Sequence, residues 1–120
     1  MPLVGVELFE DEHTVKAAGD ALLGQWYVNA DQAAPKFIAL YQATYEEYPG
    51  WATANSFDAV NLINQAFTAE AGDPLKMAKH LTELKDFAGA AGVYSATGDN
   101  RFTLPAAVKI VQEGGFKKLY

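Results

Sequence analysis

A lone carboxylate at the end of an apolar run is the first residue of this sequence that could do chemistry. Glu7 comes after Leu3-Val4-Gly5-Val6, which is typical of a buried strand. In open α/β sheets, ligands bind at the carboxyl ends of the strands. A carboxylate there can hold a ligand ammonium group by a charge-assisted hydrogen bond. The alternative interpretation is a surface glutamate at a strand end, which is the commoner situation for an isolated acidic residue.

A second candidate site is the aromatic loop that contains Trp51, Ala52 and Thr53 and precedes a predicted helix. Such a loop offers backbone groups, a hydroxyl and an apolar wall to a small ligand. The alternative is that Trp51 packs against the Pro49-Gly50 turn as part of the core, as most buried aromatic residues do.

The other reactive residues lack the partners that catalysis or metal binding requires. His13 and His80 are far apart, and neither has a second histidine or a cysteine three or four positions away, so no metal site is predicted. The acidic pairs Asp11-Glu12 and Glu46-Glu47 consist of adjacent residues, which do not share a helix face. Gly89-Ala90-Ala91-Gly92 lacks the third glycine of a dinucleotide fingerprint and the lysine of a P-loop. We therefore predict neither an enzyme nor a cofactor.

Composition narrows the class of protein further. The chain has 120 residues, half of them hydrophobic, which suits one globular domain or part of one. Its formal net charge of −6 argues against nucleic-acid binding, which needs clustered lysine and arginine. There is no cysteine, so a disulfide framework is excluded. The N-terminus lacks the basic start of a secretory signal, so the leader of an exported parent would lie elsewhere.

The elements that must position these residues alternate between strand and helix. Apolar runs and breakers predict a strand, a helix and a second strand over Leu3–Phe9, Glu10–Ala21 and Leu22–Val28. Three helices follow, with Asn29 or Asp31, then Asn55 or Ser56, then Asp73 at their starts. The last predicted elements are short strands at Val93–Ser95, Phe102–Leu104 and Val108–Val111. This order predicts an α/β fold rather than an all-helical one.

The middle helix of the three is the most apolar. Asp58 falls in its predicted first turn, where a negative charge is favourable to the helix dipole. Its apolar residues cover more than one face, namely Phe57, Val60, Leu62, Ile63, Ala66 and Phe67. A helix that is apolar on several faces is expected to be deeply buried.

Taken in order, these motifs resemble the type I periplasmic solute-binding proteins of ABC importers, in the branched-chain amino acid and amide receptor group. Phe57-Asp58-Ala59-Val60 is similar to the family's Tyr-Asp-Ala-Val helix start, with phenylalanine in place of tyrosine. Tyr94-Ser95 departs from the family pattern, which makes that turn a weaker match. The remaining matches are Gly5 followed by Glu7, Ala18-Gly19, Gly24, Phe37, Tyr41, Tyr48-Pro49, Phe87, Gly89, Gly92, Val93, Gly98-Asp99, Val108, Ile110, Val111, Gly115 and Phe116.

The resemblance implies a fold and a function. Residues 1–120 would be a C-terminal segment, without independent subdomains, of a receptor whose two α/β lobes enclose the ligand. Glu7 matches the glutamate that accepts the ammonium of an amino acid, and Trp51, Ala52 and Thr53 match the segment that lines the pocket for its side chain. The expected ligand is an amino acid or a related small amine or amide. The expected partner is the importer's permease, on the periplasmic or extracellular side of the membrane.

A second reading of the residues is a small α/β interaction module that binds itself through exposed apolar surface. A chain cut from a two-lobed receptor would leave sheet edges and core faces uncovered, and such surfaces favour dimerisation or strand exchange. Saturable binding of a small molecule would distinguish the receptor from this module.

Overall fold

The computed structural model of the chain describes residues 4–31 and 33–120. These residues divide into two compact units. The first, here called the sheet unit, runs as far as Asp31 and includes Ala106–Tyr120. The second, the helical unit, lies between these two segments in the sequence and ends at Pro105. No helix in the described part of the chain has the length and apolar character needed to cross a membrane.

The predicted helices and strands follow one another in the predicted order, which confirms the α/β assignment, and the structure adds two strands at Phe87–Ala88 and Gly115–Lys118. The first elements are β1 (Val4–Gly5), a 3-10 helix (Glu7–Glu10), α1 (Glu12–Ala18), a second 3-10 helix (Gly19–Leu22) and β2 (Trp26–Ala30). Three helices come next: α2 (Pro35–Tyr45), α3 (Thr53–Ala69) and α4 (Pro74–Thr82). The remaining strands are β3 (Phe87–Ala88), β4 (Val93–Ala96), β5 (Phe102–Thr103), β6 (Ala106–Gln112) and β7 (Gly115–Lys118).

The sheet unit is built on four strands in the order β1-β2-β6-β7. β1 is parallel to β2, whereas β2 with β6 and β6 with β7 are antiparallel. Its buried cluster consists of Leu22, Tyr27 and Val111, with partly buried Phe9, Val15 and Ala18 packed against it. One face of the sheet therefore carries the short helical segments of this unit.

The bounds of the first three elements differ from the predicted ones. The first strand ends at Gly5, the segment Glu7–Glu10 is a 3-10 helix rather than strand, and Leu3 lies outside the described residues. Asp11 caps α1 by accepting a hydrogen bond of 2.8 Å from the backbone N–H of Thr14. Such a cap stops the preceding segment from continuing into the helix. The second strand is also displaced, since it begins at Trp26 rather than at Leu22.

The helical unit packs α2, α3 and α4 with a three-stranded antiparallel sheet in the order β3-β4-β5. It has two buried clusters, one with Phe37, Ala54, Ala90, Ala91 and Tyr94 and the other with Leu62, Leu84 and Ala96. The helix start predicted at Asp73 is confirmed, because its side chain accepts from the backbone N–H groups of Leu75 and Lys76.

The cap residues predicted for the other two helices of this unit are wrong, although Pro35 does lie in the first turn of α2, as its type predicts. α2 begins at Pro35 after Ala34, so Asn29 and Asp31 precede it without capping it. α3 begins at Thr53, which places Asn55 and Ser56 inside its first turn. Proline at the first helical position has a preset φ and no N–H to satisfy, so α2 can start without a polar cap.

The prediction that α3 is deeply buried is also wrong. Its buried residues are Ala54, Asp58, Leu62 and Ala66, while the larger Phe57, Val60, Ile63 and Phe67 are exposed. The apolar pattern was identified correctly, but the described residues cover only one side of the helix.

Candidate functional site

Glu7 lies where the sheet topology favours a ligand group. It follows β1, which pairs in parallel with β2, and it opens the 3-10 helix Glu7–Glu10. Its side chain is half-buried. A carboxylate at the carboxyl end of a parallel strand, partly open to solvent, is able to accept hydrogen bonds from a ligand.

Phe9 fixes the position of the turn that carries Glu7. The backbone N–H of Phe9 donates to the carbonyl of Val6 at 3.0 Å, which closes the turn. The Phe9 ring lies against Gly5, where an added Cβ would come within 2.5 Å of ring carbons. It also packs on the Tyr27 ring, with 5.6 Å between the centroids. Glycine at position 5 is therefore a requirement of this packing.

The other end of the same turn is fixed by a buried ion pair. Lys109 Nζ lies 2.6 Å from Glu10 Oε1, and the two side chains are 2% and 10% exposed. The Tyr27 hydroxyl donates to the same carboxylate oxygen at 3.0 Å. Burial, together with the Glu10 charge, raises the pKa of Tyr27 above its usual range. The Lys109 ammonium also lies 4.7 Å from the centroid of the Phe116 ring.

The second predicted segment, Trp51 to Thr53, forms a turn and the first residue of α3. Trp51 is 45% exposed, and Ala52 and Thr53 are half-buried. The backbone N–H of Thr53 donates to the carbonyl of Gly50 at 3.1 Å, which fixes the turn. Trp51 is thus a partly exposed ring on a hydrogen-bonded turn rather than a buried core residue.

Next to this turn lies Tyr41 of α2, whose hydroxyl donates to Glu47 at 3.2 Å. Partial burial and this hydrogen bond raise the pKa of Tyr41. Its phenol is therefore a neutral hydrogen-bonding group near Thr53 at physiological pH.

A buried carboxylate in α3 organises the loop between β3 and β4. Asp58 is 1% exposed, and its two oxygens accept from the backbone N–H groups of Ala90 and Ala91 at 2.6 and 2.7 Å. Gly89 passes so close that an added Cβ would lie 2.5 Å from Asp58 Oδ2. Because these two N–H groups already bind a carboxylate, they are not available to a phosphate.

Tyr94 lies beside this carboxylate. Its hydroxyl is buried and has no hydrogen-bond partner of acceptable geometry among the described residues. Burial, with the nearby Asp58 charge, raises the pKa of Tyr94 to about 12. The sequence predicts only a favourable interaction of Asp58 with the helix dipole. Its hydrogen bonds to the loop between β3 and β4 are a role that the sequence analysis missed.

An open pocket of about 580 Å³ lies along α4, lined by Glu70, Lys76, Lys79, His80, Glu83, Leu84 and Lys85. Four of its ionisable groups pair with one another, namely His80 with Glu70 at 3.2 Å and Lys79 with Glu83 at 3.8 Å, while Lys76 pairs with Asp73 and Lys85 donates to the carbonyl of Ala96. Within residues 4–31 and 33–120 there is no cluster of histidine and acidic side chains that could hold a metal ion. This pocket has the character of a solvated, internally paired surface.

Solved structures with a similar backbone arrangement include solute-binding proteins. A leucine-binding protein from Thermotoga maritima matches with a TM-score of 0.83 at 22% identity, over 98% of this chain and 36% of its own. A branched-chain amino acid transporter substrate-binding protein from Streptococcus pneumoniae, in complex with isoleucine, matches with 0.79 at 22% identity, over 98% and 37%. An ABC-transporter solute-binding protein from R. palustris, in complex with benzoate, matches with 0.79 at 20% identity, over 99% and 35%.

These matches cover nearly the whole of this chain. It has the type I periplasmic-binding-protein fold. The resemblance inferred from the motifs is confirmed at the level of the fold, and the chain spans about a third of the length of these structures. No protein-family model matches the sequence, and a search of curated proteins gave no match.

The predicted site residues are divided between the two units. Trp51, Ala52 and Thr53 are contiguous in the helical unit, whereas Glu7 belongs to the sheet unit. The anchors of Glu7's turn, Glu10 and Lys109, are 99 residues apart in sequence, and no local pattern indicates that they pair. The one available signal was a lysine between apolar residues in a strand, Val108-Lys109-Ile110, which suggests a buried partner.

Proposed function

We propose that this chain is part of a solute-binding receptor of an ABC importer, and that it contributes to binding an amino acid or a related small amine or amide. The observation that carries this proposal is Glu7, a half-buried carboxylate at the carboxyl end of a parallel strand in a type I fold. The anchored turn supports it, because a binding group works best when its position is fixed before the ligand arrives.

The ligands of the structural neighbours help to narrow the class of ligand proposed for this chain. Leucine and isoleucine each carry an ammonium group, whereas benzoate carries only a carboxylate. A carboxylate such as Glu7 attracts the former and repels the latter. Glu7 therefore favours an amine-bearing ligand over an aromatic acid.

Trp51, Ala52 and Thr53 are proposed as the wall that contacts the ligand's side chain. A partly exposed indole beside a small residue and a hydroxyl is the mixture of apolar surface and few polar groups that small-molecule sites use. No chemical step and no cofactor is required. Ligand capture would shift the receptor towards its closed form by differential affinity for the two states, and the importer's permease, on the outer side of the membrane, would receive the solute.

The test is Glu7→Gln in the protein expressed from its complete reading frame, with leucine titrated by calorimetry. Glutamine keeps the size and loses the charge, so the affinity should fall about ten- to a hundredfold, equivalent to ~1.5–3 kcal/mol for a hydrogen bond to a charged group. Glu113→Gln, an exposed glutamate in the turn between β6 and β7, is the matched control and should bind normally. Equal affinities for both variants would remove Glu7 from the site.

A self-associating interaction module is the second candidate function. Exposed Phe57, Val60 and Phe67 on α3 favour it, because contiguous exposed apolar surface commonly marks an interaction site. This candidate predicts dimers whose population depends on protein concentration and no saturable small-molecule binding.

A further inference from the structure

The connection between α2 and α3, residues 46–52, carries Trp51 of the proposed pocket wall. It ends at Ala52, which provides no side-chain cap for α3. A backbone hydrogen bond of 3.1 Å from Thr53 to the carbonyl of Gly50 closes its last turn. A helix start without a cap lacks one hydrogen bond to its first N–H groups, so it is held less firmly than a capped one. Side-chain contacts then have a larger influence on the shape of the connection.

The hydroxyl of Tyr41, on α2, bonds to both ends of this connection. It donates to Glu47 Oε1 at 3.2 Å. With its proton directed at Glu47, its oxygen can accept, and the Thr53 hydroxyl donates to it. Burial and the hydrogen bond to Glu47 raise the pKa of Tyr41, whereas the hydrogen bond from Thr53 lowers it, as a bond donated to a phenol oxygen does. These two hydrogen bonds are here called the Tyr41 bridge.

The ring of Tyr41 is itself held by neighbours that do not belong to the connection. Its centroid lies 6.0 Å from that of Phe37 and 4.6 Å from that of Tyr45, both on α2. It packs against the buried cluster that contains Phe37 and Tyr94. A tyrosine has only two side-chain torsions to order, so a packed ring presents its hydroxyl at a nearly fixed point. The Tyr41 bridge therefore ties the connection to the core of the helical unit.

We propose that Tyr41 is a positioning residue of the ligand site, whose hydroxyl fixes the connection at Glu47 and Thr53 and thereby holds Trp51 ready to contact the side chain of the ligand. This inference rests on the proposed function, because it takes Trp51 as part of the pocket wall. A wall that is ordered before the ligand arrives has less conformational entropy to lose on binding. Tyr41 acts in this way through the connection, with no contact of its own to the ligand.

The effect of the Tyr41 bridge depends on the side chain of the ligand. In the proposed site, Glu7 binds the ammonium group, and the segment with Trp51 contacts the side chain. Leucine and alanine share the ammonium and carboxylate groups, but leucine has an isobutyl group where alanine has a methyl group. A looser wall loses more contact with the larger group. The bridge therefore favours amino acids with large apolar side chains.

Hydrogen exchange tests the Tyr41 bridge without any ligand. Tyr41→Phe, in the protein expressed from its complete reading frame, keeps the ring and removes only the hydroxyl. Mass spectrometry should show the amides of residues 47–53 exchanging about two- to tenfold faster, the range for loss of a hydrogen bond of ordinary strength. The amides of α4 should exchange at an unchanged rate. Tyr45→Phe is the matched control, because it removes a hydroxyl from the same helix at a residue that is 61% exposed, and it should change neither segment.

Calorimetry with leucine and alanine then tests the effect on binding. In Tyr41→Phe, leucine should bind about two- to tenfold more weakly, because only a fraction of the molecules hold the connection in the binding conformation. Alanine should bind within about twofold of the unmodified protein, since its methyl group makes little contact with the wall. Glu7→Gln should weaken both amino acids, because both carry the ammonium group. A general loss of structure would also weaken both, so the difference between the two ligands distinguishes positioning from a merely structural role.

Two results would overturn the inference. Unchanged exchange of residues 47–53 in Tyr41→Phe would mean that other contacts fix the connection. Faster exchange with equal losses for leucine and alanine, or with no loss for either, would mean that the connection does not position a wall for the side chain.

Glu47→Ala is the second variant, for use if circular dichroism shows that Tyr41→Phe is misfolded. It removes one half of the Tyr41 bridge at an exposed residue and should also speed the exchange of residues 47–53. If the unmodified protein showed no saturable binding of either amino acid, the proposed function would fall. The exchange result judges the bridge by itself, so the two failures are distinguishable.

Discussion

Among the described residues, the sheet unit holds the largely buried Glu10 carboxylate and the helical unit the buried Asp58 carboxylate, and the two are satisfied in different ways. In the sheet unit, side chains satisfy Glu10: Lys109 forms an ion pair with it and Tyr27 donates a hydrogen bond. In the helical unit, backbone N–H groups satisfy Asp58, and the hydroxyl of the adjacent Tyr94 makes no hydrogen bond within the described residues. A side-chain donor can be removed by mutation, whereas a backbone donor cannot. The interactions of Glu10 can therefore be removed by mutating either the carboxylate or its side-chain partners. Those of Asp58 can be removed chiefly by mutating the carboxylate itself.

The largest effect is expected where a full charge loses its partner. Lys109→Met keeps the length of the side chain and leaves the Glu10 carboxylate buried and unpaired. Breaking a buried ion pair in this way costs about 3–5 kcal/mol of unfolding free energy. Urea denaturation followed by circular dichroism measures the loss.

The matched control is the double variant Lys109→Met with Glu10→Gln, which removes both charges. Replacement of both members of a buried pair is often close to neutral, so the double variant should recover much of the loss. If it were no more stable than Lys109→Met alone, the cost would lie in packing around the lysine stem rather than in the unpaired charge.

A smaller loss is expected at Asp58, because its partners are neutral. In Asp58→Asn, the amide NH₂ group faces one of the two N–H donors of Ala90 and Ala91, and that donor loses its acceptor. An unsatisfied buried polar group costs about 1–3 kcal/mol. Hydrogen exchange of the two amides, together with urea unfolding, reports the change.

Asp20→Asn is the control for this change, since Asp20 is exposed in the sheet unit. A surface substitution of this kind should stay within about 0.5 kcal/mol of the unmodified protein. Amide protection at Ala90 and Ala91 that survives in Asp58→Asn would show that the loop is held by something other than the carboxylate.

The order of elements followed from local signals, which were sufficient at the start of α4 but not at the starts of α2 and α3. Gly72-Asp73-Pro74 separates two helices as predicted, because the Asp73 side chain caps α4 within three residues of itself. The segment Leu3–Phe9 was assigned to a single strand because its apolar residues are continuous. It leaves the strand after Gly5, since Phe9 packs on Tyr27 and Glu10 meets Lys109, contacts that are distant in sequence.

The same division applies to the candidate site. Glu7 and Trp51 to Thr53 were identified from their positions beside a strand end and a helix start, and their role in binding stays a prediction. The role of Asp58 could not be found in this way, because its partners are 32 and 33 residues away. The exposure of the large apolar residues of α3 had no local signal either, since it depends on which side of the helix the distant elements of the chain cover.

The smallest effect is expected at Tyr94, the tyrosine beside Asp58, and it depends on pH. The pKa of Tyr94 is raised to about 12, first by burial and then by Asp58. Tyrosine in the unfolded chain ionises near pH 10. The contribution that this raised pKa makes to the free energy of unfolding is therefore fully present below about pH 10, and it is lost as the pH rises through about 12.

Tyr94→Phe removes a buried hydroxyl that has no partner in the described part of the chain, so its stability at pH 7 should lie within about 1 kcal/mol of the unmodified protein. Between pH 10 and 12 its unfolding free energy should fall less steeply. Tyr120→Phe, at an exposed position, should reproduce the unmodified profile. Tyr27→Phe should differ from both already at pH 7, because Glu10 loses a hydrogen bond. Urea titrations at pH 7, 10 and 12 measure these differences. If Tyr94→Phe lost as much stability at pH 7 as Tyr27→Phe, the Tyr94 hydroxyl would have to be bonded to Asp58. The two carboxylate sites would then be more alike than their geometry indicates.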